Sequence, residues 1–231
     1  MEISDKELRT VLHRHRKWLD GEDGGVCANL SGADLSGARL AGADLSHAVL
    51  RSADLTGATL VRANLSGVDL SEADLSEADL SRANFYRATL SHANLTGSNL
   101  TRCNLSGVDL SRAVLSRAVL AGSNLTRADL AGADLNEADL TGTDLERADL
   151  ALADLTGADL TGSNLTAADL SYATLARANL ARVNLSGVDI SRANLSFANL
   201  AGSNLTRADL TLADLNEADL TGATWTDGTK K

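Results

Sequence analysis

Aspartate, serine, histidine and cysteine are the side chains of this chain that could do chemistry, and their spacing decides which kind. Asp69, Asp109, Asp129, Asp149, Asp169, Asp189 and Asp209 stand at multiples of 20 residues from one another. That pattern describes a column of negative charge, not the converging pair of carboxylates that acid–base catalysis needs. His13 and His15 lie two residues apart on a predicted helix and so diverge. His47 and His92 are isolated, and neither Gly-x-Ser-x-Gly nor His-Glu-x-x-His occurs. Cys27 and Cys103 are 76 residues apart at different phases of a repeat, one pointing outward and one inward, which predicts no disulfide. The expectation is a protein with no catalytic residues, no metal and no cofactor. With 31 Asp and Glu against 21 Lys and Arg, the net charge of −10 argues against direct nucleic-acid binding, which needs a basic surface to neutralise phosphates. No apolar run approaches the roughly 18 residues of a membrane span, and the charged N-terminus lacks the apolar core of a signal peptide. A cytoplasmic address is expected.

The element that must carry these residues is a repeat of five. From Leu30 to Leu220 every fifth residue is leucine, apart from Phe85 and Ile190, and Trp225 takes the next position. Two residues before each is a small residue, usually alanine, so the unit reads Ala-Asp/Asn-Leu-x-x. A period of five matches neither the 3.6 of a helix nor the 2 of a strand, so each unit ends in a corner and the chain winds. The exceptions to alanine reveal the pitch: Cys103, Ser123, Thr143, Ser163, Val183 and Ser203 recur every 20 residues. Asn64, Asn84, Asn104, Asn124, Asn164, Asn184 and Asn204 share one phase of the same grid, as expected of a stacked amide ladder. Four units per coil predict an all-β solenoid of about ten coils, on the order of 45–50 Å long.

Ala28-Asn29-Leu30, Ala33-Asp34-Leu35 and their successors resemble the pentapeptide-repeat family over about 200 of 231 residues. The resemblance implies a right-handed quadrilateral β-helix. It also implies end-to-end homodimers, here through the C-terminal end, and it brings in members that confer quinolone resistance by presenting a DNA-like negative rod to DNA gyrase. The aspartate column is the candidate acidic stripe for such mimicry. Arg127, Arg147 and Arg207, two residues before their aspartates, are expected to offset part of its charge.

Three domains follow: residues 1–25 as a capping helix and Gly-rich linker, 26–225 as the solenoid, and 226–231 as a tail. Ser4-x-x-Glu7 reads as a capping box opening a helix from about Asp5 to Leu19. Leu8, Val11, Leu12, Trp18 and Leu19, with His15 on the same face, should cover the open end of the first coil. Trp225 is placed to plug the last. An exposed line of Leu152, Tyr172 and Leu212, interrupted by Arg192 and flanked by Phe197, has the composition of a protein-binding patch. Arg62, Arg82 and Arg102 stack beside the asparagine column. Residues 121–140 recur almost unchanged at 201–220, so similar surfaces occur twice along the rod. The sequence therefore reads as a non-catalytic scaffold for an unidentified protein partner. The alternatives are a DNA-mimicking topoisomerase regulator and a purely structural rod.

Overall fold

The computed structural model describes residues 3–230 as one helix followed by a β-solenoid. Helix α1 spans Asp5–Leu19. Its start is set by Ser4, whose Oγ accepts from the Glu7 N–H at 3.3 Å while Glu7 Oε2 accepts from the Ser4 N–H at 2.9 Å. These reciprocal bonds satisfy two otherwise orphaned donors, and the Ser4 hydroxyl, which donates to Glu7 Oε2 at 2.6 Å, together with the Ser4 N–H holds the Glu7 carboxyl below its ordinary pKa. After α1 the chain turns through Gly21 and Gly24, both at positive φ. It doubles back beside the helix, where the Val26 N–H donates to Arg14 O at 3.0 Å, and enters the first coil.

In the solenoid, each residue at the Asp/Asn position forms a parallel bridge with the residue 20 further on, from Asn29↔Val49 to Asn204↔Thr224. Leucine N–H groups donate up the rod (Leu30 to Val49 O, 2.7 Å), and bridge-residue N–H groups donate down it (Val49 to Ala28 O, 2.9 Å). Between bridges lies a tight turn closed by bonds such as Ala33 N–H to Leu30 O at 3.0 Å. The second central residue of these turns has positive φ, as at Gly32 (62°), Arg62 (58°) and Leu152 (62°). This is the requirement of a type II turn, and it is the corner that a five-residue period demands. Glycine meets the requirement freely, whereas any other L-residue there costs about 1–2 kcal/mol.

The leucine and alanine columns fill one continuous core in which residues such as Leu50 and Leu145 are wholly buried. Where serine or threonine replaces alanine, core carbonyls accept the hydroxyls of Ser98, Ser123 and Thr143, as Leu140 O does from Thr143 Oγ1 at 2.7 Å, whereas the buried hydroxyls of Ser163 and Ser203 have no partner among the described residues. At the N-terminal end Ile3, Leu8, Val11 and Leu12 pack against this core. Leu19 is half-buried and lines, with Leu12, a cleft of about 470 Å³ over Gly42 and Ala43. The expected role of Trp18 needs correction. Its side chain is 40% exposed and stacks on His15 at 5.6 Å, while His15 is the fully buried member of that face. His15 is drawn inward because its Nδ1 accepts the Ala28 N–H at 3.1 Å, a donor the first coil otherwise leaves open.

At the other end Leu210, Leu215, Leu220 and Trp225 are only half-buried. The Trp225 backbone N–H donates to Thr229 O at 2.6 Å, and Thr224 pairs antiparallel with Lys230, so residues 226–230 fold back beside the last coil.

Candidate interaction surfaces

The turn positions of positive φ form four columns along the rod, and one of them carries bulky apolar side chains. Leu152, Tyr172, Arg192 and Leu212 occupy successive coils of this column. The Leu152 N–H donates to Ser171 O at 3.0 Å, Tyr172 to Ser191 O at 2.9 Å, and Arg192 to Thr211 O at 2.8 Å. Leu152, Tyr172 and Leu212 are 68%, 53% and 71% exposed. Arg192 does not interrupt the line: its guanidinium lies over the Tyr172 ring, 5.4 Å from the centroid, and ties the two into one surface. Phe197, also exposed, stands one unit further along the same coil as Arg192, again at positive φ.

The acidic stripe runs directly behind this column and has a structural use. Asp149, Asp169, Asp189 and Asp209 each accept, through Oδ1, the N–H two residues on, from Ala151 (2.9 Å), Ser171 (2.8 Å), Ser191 (2.9 Å) and Thr211 (2.9 Å). Asp69, Asp109 and Asp129 do the same for Ser71, Ser111 and Ala131. Each carboxylate thus fastens the turn that presents the next outward side chain. Hydrogen bonds from the Thr211 side chain and backbone hold Asp209 below its ordinary pKa. At Asp69 burial opposes ionisation, but bonds from Ser71 and Arg51 outweigh it and the carboxyl is lowered as well.

The arginines expected to neutralise the stripe are placed differently. Arg147 pairs with Glu146 at 3.7 Å, and among the described residues neither Arg127 nor Arg207 forms an ion pair. Arg51, from the preceding coil, pairs with Asp69 instead.

The asparagine ladder is present in pieces. Asn84 Nδ2 donates to Asn64 Oδ1 (3.2 Å), Asn104 to Asn84 (2.8 Å) and Asn204 to Asn184 (3.2 Å). Asn64 and Asn164 donate instead to Asp44 and Asp144, both at 3.1 Å. It is not continuous: Asn184 turns to Thr166 Oγ1 at 2.9 Å, and Asn124 Oδ1 is taken by Thr126. A threonine hydroxyl beside the column competes with the axial amide.

Sequence reasoning missed two exposed features. Val114 and Val119 replace the Asp/Asn that would fasten their turns, and Tyr86 lies under Arg87 at 5.1 Å. The break in the Asp/Asn column was the signal for the valines. Cys27 and Cys103 are free thiols, and burial pushes Cys103 up to about 12, far from the thiolate that reactivity needs. Among the described residues, no group of three or more His, Cys, Asp or Glu could hold a metal ion, and no helix is long and apolar enough to cross a membrane.

A solenoid built from stacked five-residue turns, with exposed side chains on the corners, is the architecture of a repeat protein of a defined kind. The model for pentapeptide repeats matches over residues 28–67, 63–102, 103–142, 128–166, 163–196 and 189–224, and the chain belongs to that family. It is similar to the crystal structure of HetL from the cyanobacterium Nostoc sp. strain PCC 7120, a pentapeptide-repeat protein involved in heterocyst differentiation regulation. The identity is 38%, with 100% of each chain covered and a TM-score of 0.90. QnrB1, a plasmid-mediated fluoroquinolone resistance protein, is 20% identical over 75% of this chain and 84% of its own, with a TM-score of 0.59, a likeness of fold alone. Among curated proteins no sequence matches.

Proposed function

We propose that this protein is a non-catalytic cytoplasmic scaffold that binds a regulatory protein partner through the column of Leu152, Tyr172, Arg192 and Leu212, with Phe197 at its side. In this reading the chain winds as about ten right-handed, four-sided coils, and the column forms one corner of the rod. The observation that carries the reading is the cost of the column. Bulky apolar side chains stand in left-handed turn positions (φ 59–62°) and face solvent, where glycine would avoid both strain and exposure. A rigid rod that presents such residues loses little conformational entropy on binding.

The likeness to HetL supports a regulatory setting, since that protein is involved in the regulation of a differentiation process. DNA mimicry is the weaker reading. It would use carboxylates that already fasten turns through one oxygen each, and its relative QnrB1 shares only the fold.

The test uses the wild-type protein and a Leu152→Asp/Tyr172→Asp/Leu212→Asp variant as baits in lysate of the source organism. A partner retained only by the wild type supports the column. A partner retained equally by both baits overturns it, and gyrase subunits held equally by both in a salt-sensitive way would shift the assignment to the acidic stripe.

A further inference from the structure

Half a coil away from the apolar column, ten residues out of the twenty-residue stacking interval, the same turn position carries Arg62, Arg82 and Arg102 in three successive coils. All three are exposed, and none is in an ion pair among the described residues. They line an open recess of about 660 Å³ with Val61, Ser81 and Thr101. The stack ends at Gly42 on one side and Gly122 on the other. The Arg102 Cγ lies 3.6 Å from where a Cβ on Gly122 would stand, so its side chain extends along the rod over the following turn.

What distinguishes this strip is what flanks it. On one side the bridge residues are Asn64, Asn84 and Asn104, amides at a position where much of the rod has aspartate. On the other they are Thr59, Asp79 and Asn99. Residues 59–64, 79–84 and 99–104 therefore hold three arginines and one carboxylate on a chain of net charge −10. Asp79 Oδ1 already accepts from Asn99 Nδ2 and from the Ser81 N–H, both at 3.1 Å. The strip is a local positive field with unused, fork-shaped donors.

We propose that this strip is a second docking surface, which takes a short acidic peptide segment of a protein partner. Planar guanidinium groups pair with carboxylates in two-pronged geometry. Three of them at the ~4.8 Å coil spacing span about 10 Å, the length of about three residues of extended chain. The shortness of the strip selects against nucleic acid, because a duplex reaching beyond it meets the acidic remainder of the rod. The proposal goes beyond the apolar column and is independent of it: the two surfaces share no residue, and together they would let the rod contact a partner on two sides.

The experiment is an NMR titration of the full-length labelled protein with hexaglutamate at low ionic strength, following arginine side-chain Nε–Hε signals. Saturable shifts at Arg62, Arg82 and Arg102 are expected, with affinity about tenfold lower in an Arg62→Gln/Arg82→Gln/Arg102→Gln variant whose melting is unchanged. A Leu152→Gly/Tyr172→Gly/Leu212→Gly variant should bind hexaglutamate as the wild type does, which separates failure of this strip from failure of the apolar column. Shifts spread over all arginines, or retained in the Gln variant, would overturn the proposal. So would inorganic phosphate reproducing them at equal charge concentration, or a short DNA duplex binding the strip more tightly than the peptide.

Discussion

Replacing Leu152, Tyr172 and Leu212 together by glycine separates a surface kept for binding from one kept for stability. Each residue sits at φ near 60°, where relief of left-handed strain should return about 1–2 kcal/mol. Against that, glycine widens the unfolded ensemble, which costs about 0.4–1 kcal/mol per site. The side chains are 68%, 53% and 71% exposed, so only a third to a half of each is covered. At about 1.5–3 kcal/mol for a fully buried aliphatic or aromatic side chain, that coverage contributes roughly 0.5–1.5 kcal/mol. The terms nearly cancel, and the triple variant is expected to stay within about 1 kcal/mol per site of the wild type. Partner retention should be lost. Guanidinium chloride unfolding followed by circular dichroism reads the first quantity, and bait capture reads the second. A destabilisation above about 2 kcal/mol per site, comparable to emptying a core position, would refute the reasoning, because it would mean that these side chains shield the rod itself.

Core and cap provide the remaining tests. Leu145→Ala removes a side chain with no exposure from the middle of the stack and should cost about 2–5 kcal/mol, measured as a drop in the unfolding midpoint. Gly25→Ala places a Cβ 2.4 Å from the Trp18 backbone nitrogen, so the linker must shift off the helix. A loss of about 1–3 kcal/mol and weaker hydrogen-exchange protection of the Val26 amide are expected. Acidification should loosen the cap. Burial is the largest influence on His15 and lowers its pKa below 6.5, Asp44 and the Ser46 backbone oppose it, and His47 adds to the lowering. With the folded value depressed, the stabilising contribution of neutral His15 is complete above the unfolded value and is lost as pH falls through the folded one. Protonation of Nδ1 also removes the acceptor for the Ala28 N–H. The protection factor of the Ala28 amide, corrected for the slowing of intrinsic exchange in acid, should fall as pH drops below the ordinary histidine value in the wild type, and a His15→Gln variant should not show that fall.

Leucine every fifth residue and the twenty-residue recurrence of its exceptions were enough to determine the solenoid and the pitch. The physical reason is that every parallel bridge of the solenoid joins residues a constant 20 apart, so the stacking is written into the sequence as a period. The capping box at Ser4 and Glu7 was legible for a related reason, since both partners lie within one turn of α1. The outward columns were also legible, because phase alone assigns them.

Only the tertiary structure decided what those outward side chains do, because each has several partners within reach and small differences in distance choose among them. Asp149 takes the Ala151 N–H and fastens the corner under Leu152, where the sequence shows only a column of charge. Asn184 takes a threonine hydroxyl in place of its axial neighbour, and Arg192 covers Tyr172. At the cap, a stripe of shared phase could not say which ring turns inward. The unpaired Ala28 N–H drew in His15 and left Trp18 at the rim, since a buried backbone donor without an acceptor costs more than an exposed indole.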